Sequence, residues 1–148
     1  MNAPAWRATV SAALMISFLL FGCARQESAT DCAIDSGPCV KDMGEGVSVS
    51  LDITPKPVKT MTDSLFTVVL KKGDVPLTGA GVTCELSMPG MYMAHNTVKL
   101  RERGEGVFEG RCVIVRCASG RKVWRAGIVV EHPGGKPSEA DFTFRVGK

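Results

Sequence analysis

Residues 122–131 read KVWRAGIVVE, with Trp124, Ala126, Ile128 and Val130 at alternate positions. A period of two sends successive side chains to opposite faces of a strand, so these four share one buried face. Burying an indole removes roughly 150–250 Å² from water, which makes Trp124 the expected centre of a core. The same period recurs on both sides of this stretch. Upstream it runs through Val47, Val49, Leu51 and Ile53, then Ser64 to Lys71 with Phe66, Val68 and Leu70 in phase. Gly81 to Met88 follows, presenting Val82, Cys84, Leu86 and Met88, and then Thr97 to Glu102 with Val98 and Leu100. Val107 to Arg116 carries Phe108, Cys112 and Ile114; downstream, Asp141 to Val146 carries Phe142, Phe144 and Val146. Gly73-Asp74, Gly104-Glu105-Gly106, Ala118-Ser119-Gly120 and Pro133-Gly134-Gly135 punctuate the runs as turns. The pattern predicts an all-β fold: a seven-stranded antiparallel immunoglobulin-like β-sandwich of about 100 residues.

The chain ahead of this domain has a different character. Arg7 and the terminal amine precede the apolar run Val10 to Phe21, which ends in Gly22-Cys23. Such a run spans roughly 20 Å as a helix, short of the roughly 30 Å hydrocarbon core, so it reads as a targeting signal. Leu20-Phe21-Gly22-Cys23 resembles the bacterial lipobox, which implies lipidation of Cys23. The expected division is therefore a lipoprotein signal peptide over residues 1–22, a lipidated tether over 23–46 and the sandwich over 47–148. The expected location is the cell envelope, lipid-anchored in the bilayer through the acyl chains of Cys23. It faces the periplasm or exterior, with the outer membrane favoured because Ala24 follows the cysteine.

Composition narrows the function classes. The 148 residues carry a formal charge of +3 with the charges scattered, so no nucleic-acid partner is expected. Two histidines argue against a histidine-rich metal cage. No nucleophile elbow, zinc-protease helix or phosphate loop is present, and the chain is not expected to be an enzyme. His132 reads as a solvated loop residue. The glutamates and arginines around Gly104-Glu105-Gly106 read as a mutually compensated surface.

Chemistry concentrates in Met88-Pro89-Gly90-Met91-Tyr92-Met93-Ala94-His95-Asn96, which holds three of seven methionines, one histidine and the sole tyrosine. Thioethers and an imidazole suit Cu(I) where free thiols are unreliable, and Met91, Met93 and His95 lie two apart, able to face one side. Met88 adds a fourth donor. Copper is thus the candidate metal; the competing reading has the methionines plug the open end of the sandwich. Cys32 and Cys39, seven apart around Gly37-Pro38, are expected to close a small loop. Within Cys84, Cys112 and Cys117 a second bridge is expected, its pair left open.

The MPGMYM loop, Asn96-x-Val98-x-Leu100, Gly106 to Gly110, and the pattern Cys117-x-Ser119-Gly120-x-x-x-Trp124-x-Ala126 together resemble the YtkA-like domain family, with FixH-type proteins similar in the same region. The resemblance implies a small immunoglobulin-like extracytoplasmic domain, often lipid-anchored. FixH-type relatives are linked with copper delivery during oxidase assembly, which points to Met88, Met91, Met93 and His95. Two functions follow as expectations: a tethered binding module handling copper through its Met-rich loop, or a metal-free accessory module docking to a membrane-complex protein.

Overall fold

A computed structural model describes residues 28–94 and 96–147. The expected signal peptide, Cys23 and His95 lie outside these residues. The described chain is all-β, and every strand pairing is antiparallel apart from an isolated parallel bridge between Lys59 and Gly147. Nine strands occur among the described residues: β1 (Cys39–Asp42), β2 (Val47–Thr54), β3 (Asp63–Lys72), β4 (Val75–Pro76), β5 (Gly81–Ser87), β6 (Asn96–Gly104), β7 (Val107–Val113), β8 (Val123–Glu131) and β9 (Ser138–Arg145). The expectation of seven is corrected by two additions. β4 is a two-residue pairing with the end of β3. β1 lacks an apolar alternation and pairs with β2 through its main chain, with Val40 left 67% exposed.

The strands follow the order β1-β2-β3-β7-β6-β5-β8-β9, folded into a sandwich-like structure. β6 turns the corner between its two layers. Asn96 to Leu100 pair with β5, whereas from Arg101 onward the strand pairs with β7. At the opposite corner β1 approaches β9: the Lys41 ammonium donates to the Asp141 carbonyl and lies 5.2 Å from the Phe142 ring centroid. Between the layers, Trp124, Phe66, Phe108, Phe142 and Phe144 are fully buried. Val49, Leu51, Ile53, Ala126, Ile128 and Val130 join them in one core, so the period-two reading places these side chains correctly.

The β6–β7 hairpin requires a glycine at 106. There φ is +72°, and a Cβ would stand 2.5 Å from the Leu70 carbonyl oxygen, whose own amide donates to the Gly106 carbonyl. An added side chain meets backbone there, which cannot give way as a flexible side chain would.

The segment expected as a tether is built into the sandwich from Asp31 onward. The amides of Asp31 and Cys32 both donate to the Thr143 carbonyl at 3.0 Å, and the Asp31 carboxylate accepts from the Thr143 amide at 2.8 Å. Cys32 and Cys39 form the expected disulfide. The loop that it closes presses Ile34, 2% exposed, into the core, while Asp35 accepts from the Val58 amide at 2.7 Å. A polar stretch without apolar period still docks here because a disulfide, one isoleucine and two aspartates supply what periodicity does not.

Candidate functional site

Two loops meet at one end of the sandwich. The first, after β5, turns at Pro89-Gly90, where the Met91 amide donates to the Met88 carbonyl at 3.1 Å. The second, before β8, turns at Ser119-Gly120, where the Gly120 amide donates to the Cys117 carbonyl at 3.1 Å. Gly90 and Gly120 have φ of +70° and +73°, which glycine adopts without strain. The Arg121 guanidinium joins the loops by donating to the Pro89 carbonyl at 3.2 Å.

Across this junction Met91 Sδ lies 3.7 Å from Cys117 Sγ and 3.9 Å from Ser119 Oγ, and Cys117 Sγ lies 2.9 Å from Ser119 Oγ. Two sulfurs each about 2.3 Å from one soft metal stand roughly 3.8–4.0 Å apart at tetrahedral to trigonal angles. The observed sulfur spacing is close to that range without rearrangement. Met91 is 37% exposed, so the pair is open to solvent. Among the described residues no three His, Cys, Asp or Glu side chains converge on a point; the donors that do meet are soft.

The electrostatics distinguish the three free thiols. At Cys117 the Ser119 hydroxyl, then the Ser119 amide, favour the thiolate, with help from the Arg121 amide and charge, and hold the thiol below its ordinary value. Burial pushes the Cys84 thiol up to about 12, with the charges of Cys112 and Glu85 adding to it. At Cys112 burial outweighs the hydrogen bond to Asn96 and also raises the thiol. The bridge expected within this group is therefore corrected: all three are unpaired. Cys84 is enclosed on β5, Cys112 on β7 turns to Asn96 Oδ1 at 3.7 Å, and Cys117 faces Met91. Reactivity follows the thiolate fraction. Under iodoacetamide at pH 7.5, mass spectrometry is expected to find Cys117 modified first, Cys112 later and Cys84 only on unfolding. Equal rates at Cys117 and Cys84 would contradict the arrangement.

The other expected ligands separate. Met88 is 2% exposed within the core, and Met93 is half-buried against it, so both pack as plugs do. Tyr92 is fully exposed beside them. His132 has a partner after all, Ser138 Oγ at 2.7 Å. A thiolate from the Cys84, Cys112 and Cys117 group joining the methionines is a lesser reading of the sequence, and Cys117 is the member that meets Met91. It lies 26 residues from Met91 in sequence, and its one signal was its place in a turn beside Ser119.

No family model, curated protein or solved structure matches the chain.

Proposed function

We propose that the chain is a membrane-tethered, extracytoplasmic binding module of immunoglobulin-like architecture that handles copper as Cu(I). Met91 and Cys117 supply the soft donors; His95, the further donor that the sequence offers, lies outside the described residues. The observation that carries this reading is the 3.7 Å approach of the Met91 and Cys117 sulfurs at a solvent-open loop junction. A thiolate and a thioether select Cu(I) over harder cations. The Cys32–Cys39 disulfide fits an oxidising compartment, in keeping with the lipobox-like Leu20 to Cys23. The YtkA-like resemblance points the same way, and the reading includes a cell-envelope location with Cys23 acylated.

The test is a Cu(I) competition titration with a chromophoric chelator, on the full chain in detergent micelles under reducing conditions. Wild type is expected to bind one equivalent. Met91→Leu and Cys117→Ser are each expected to weaken binding by at least about tenfold, the lower bound for disturbing even the supports of a metal site. Met88→Leu and Cys112→Ser leave affinity unchanged. Unchanged affinity in the Met91→Leu/Cys117→Ser double variant would overturn the reading.

A second reading draws on exposed apolar side chains near this junction. Met61, whose amide donates to Ile114 O at 2.8 Å, is 63% exposed, and Val113 and Val115 are 41% and 45% exposed. With Tyr92 they suit a metal-free module that docks to a membrane-complex protein. The same titration separates the two, because docking needs no sulfur donor and predicts no Cu(I) affinity to lose.

A further inference from the structure

The corner strand β6 leaves a second feature, remote in kind from the sulfur site. Its ladder with β7 ends at Arg101↔Glu109, and beyond that pair β6 crosses to β5. The crossing is tight at Gly110, where a Cβ would stand 2.7 Å from Leu100 Cδ2 and 3.0 Å from the Lys99 carbonyl oxygen. On the outer face the departure opens a groove of about 330 Å³, lined by Leu65, Lys99, Arg101, Arg103, Glu109 and Arg111.

Charge in this groove is unbalanced. Glu109 pairs with Arg103 at 3.2 Å, and Asp63 at its margin pairs with Arg111 at 2.7 Å. Lys99 and Arg101 are exposed and have no ion-pair partner among the described residues. Lys99 and Arg101 occupy alternate positions of one strand, so their stems leave the sheet about 6.6–6.8 Å apart, whereas Arg103 falls in the register shift between Glu102 and Gly104 and is held by Glu109. An extended peptide with acidic residues at every second position repeats its charges at that same interval. Polyanions with closer or irregular charges lack this match. The partly exposed Leu65 offers an apolar contact to the stem of such a peptide.

We propose that this groove binds an extended acidic segment of a partner protein, with carboxylates at alternate positions against Lys99 and Arg101. The charge spacing and the break in the β6–β7 ladder carry the assignment, which stands whether or not the sulfur site holds copper. The Arg101 fork donates bidentately to a carboxylate, which fixes the register of the bound strand. Binding is electrostatic and salt-sensitive.

Fluorescence anisotropy tests it, using the full chain in micelles and three labelled hexapeptides: alternating Thr and Glu, the same with Gln for Glu, and an isomer with its three Glu contiguous. The alternating peptide is expected to bind at low salt and to weaken as salt is raised. The Gln peptide is expected not to bind, and the contiguous isomer to bind more weakly. Lys99→Gln/Arg101→Gln, at exposed positions whose loss leaves the core intact, is expected to reduce affinity roughly tenfold, the sum of two exposed ion pairs. Failure of wild type to bind, or equal binding by the double variant, overturns the proposal. Equal affinity for the contiguous isomer overturns the register. Phosphatidylglycerol vesicles form the last arm: association that the double variant loses, without peptide binding, would assign the groove to a lipid surface and overturn the peptide reading.

Discussion

Trp124→Ala is expected to destabilise the domain by about 3–5 kcal/mol, the range for emptying a large aromatic site in a close-packed core. Trp124 is fully buried, the largest such side chain, between β5 and β9 in the sheet. Its burial of roughly 150–250 Å² at about 25 cal/mol per Å² amounts to about 4–6 kcal/mol before relaxation. Phe66, Phe108, Phe142 and Phe144, also fully buried, are ring systems that cannot collapse into an indole-sized gap without leaving their rotamers. Trp124→Phe separates volume from polarity. The Trp124 Nε1 has no hydrogen-bond partner among the described residues, so the native indole carries a desolvation cost of about 1–3 kcal/mol that phenylalanine lacks. The phenylalanine variant is therefore expected to lose clearly less than the alanine one. Urea unfolding followed by circular dichroism reads both, with a common slope expected. A loss under about 1 kcal/mol for Trp124→Ala would displace Trp124 from the centre of the core.

Trp124 also shows why the core was legible in the sequence. In a two-layer β structure one face of each strand must be dry, and a side-chain period of two writes that face directly into the chain. Cys84, Leu86, Ile128 and Phe144 are all buried at the positions the period assigns. β1 was not legible, because Cys39-Val40-Lys41-Asp42 is held by main-chain pairing and a covalent bond, and neither leaves an apolar pattern. The site divides along the same line. Its methionine loop stands out by composition, and Met88 and Met93 then pack as any apolar side chain at the end of a sandwich would. Which methionine meets a second donor depends on how two loops separated by two strands, β6 and β7, come together. The Arg121 bond to Pro89 O and the turn at Gly120 set that meeting, and side-chain spacing along one strand carries no information about it. The parity of Cys84 and Cys112 suggested a bridge for a similar reason. Parity reports which face a thiol leaves from, but not that β6 and Asn96 stand where Cys112 turns.

The Cys32–Cys39 bond makes the second large prediction, because it decides whether residues 31–42 are a loose leash or a fixed strap. Closing a loop of about eight residues lowers the entropy of the open chain by roughly 2.5 kcal/mol, by the loop-closure relation. What the closed loop holds in place is Ile34 in the core, the Asp31 and Cys32 amides on Thr143, and Asp35 on Val58. In Cys32→Ser/Cys39→Ser that entropy returns to the opened strap while β5 and β8 keep their full ladders. Amide exchange at residues 31–35 and Val58 is then expected to accelerate roughly 50–100-fold, the same free energy at 1.36 kcal/mol per decade, with little change over residues 124–131. Acid acts on the same segment with a definite sign. Burial raises the Asp31 carboxyl, but the Lys41 ammonium and the Thr143 amide and hydroxyl outweigh it, so its folded value lies below the ordinary one. A depressed carboxyl stabilises the docked form fully above its unfolded value, near 3.9, and loses that contribution as pH falls through its folded value. Strap protection, corrected for intrinsic exchange, is thus expected to hold at pH 6 and to be lost in acid, as pH falls below the ordinary carboxyl value, before the core opens. If the serine variant exchanged uniformly across the domain, or kept native protection at residues 31–35, the strap would be either part of the cooperative core or held without its disulfide. Either result would remove the strap as a segment that opens independently of the β5 and β8 ladders.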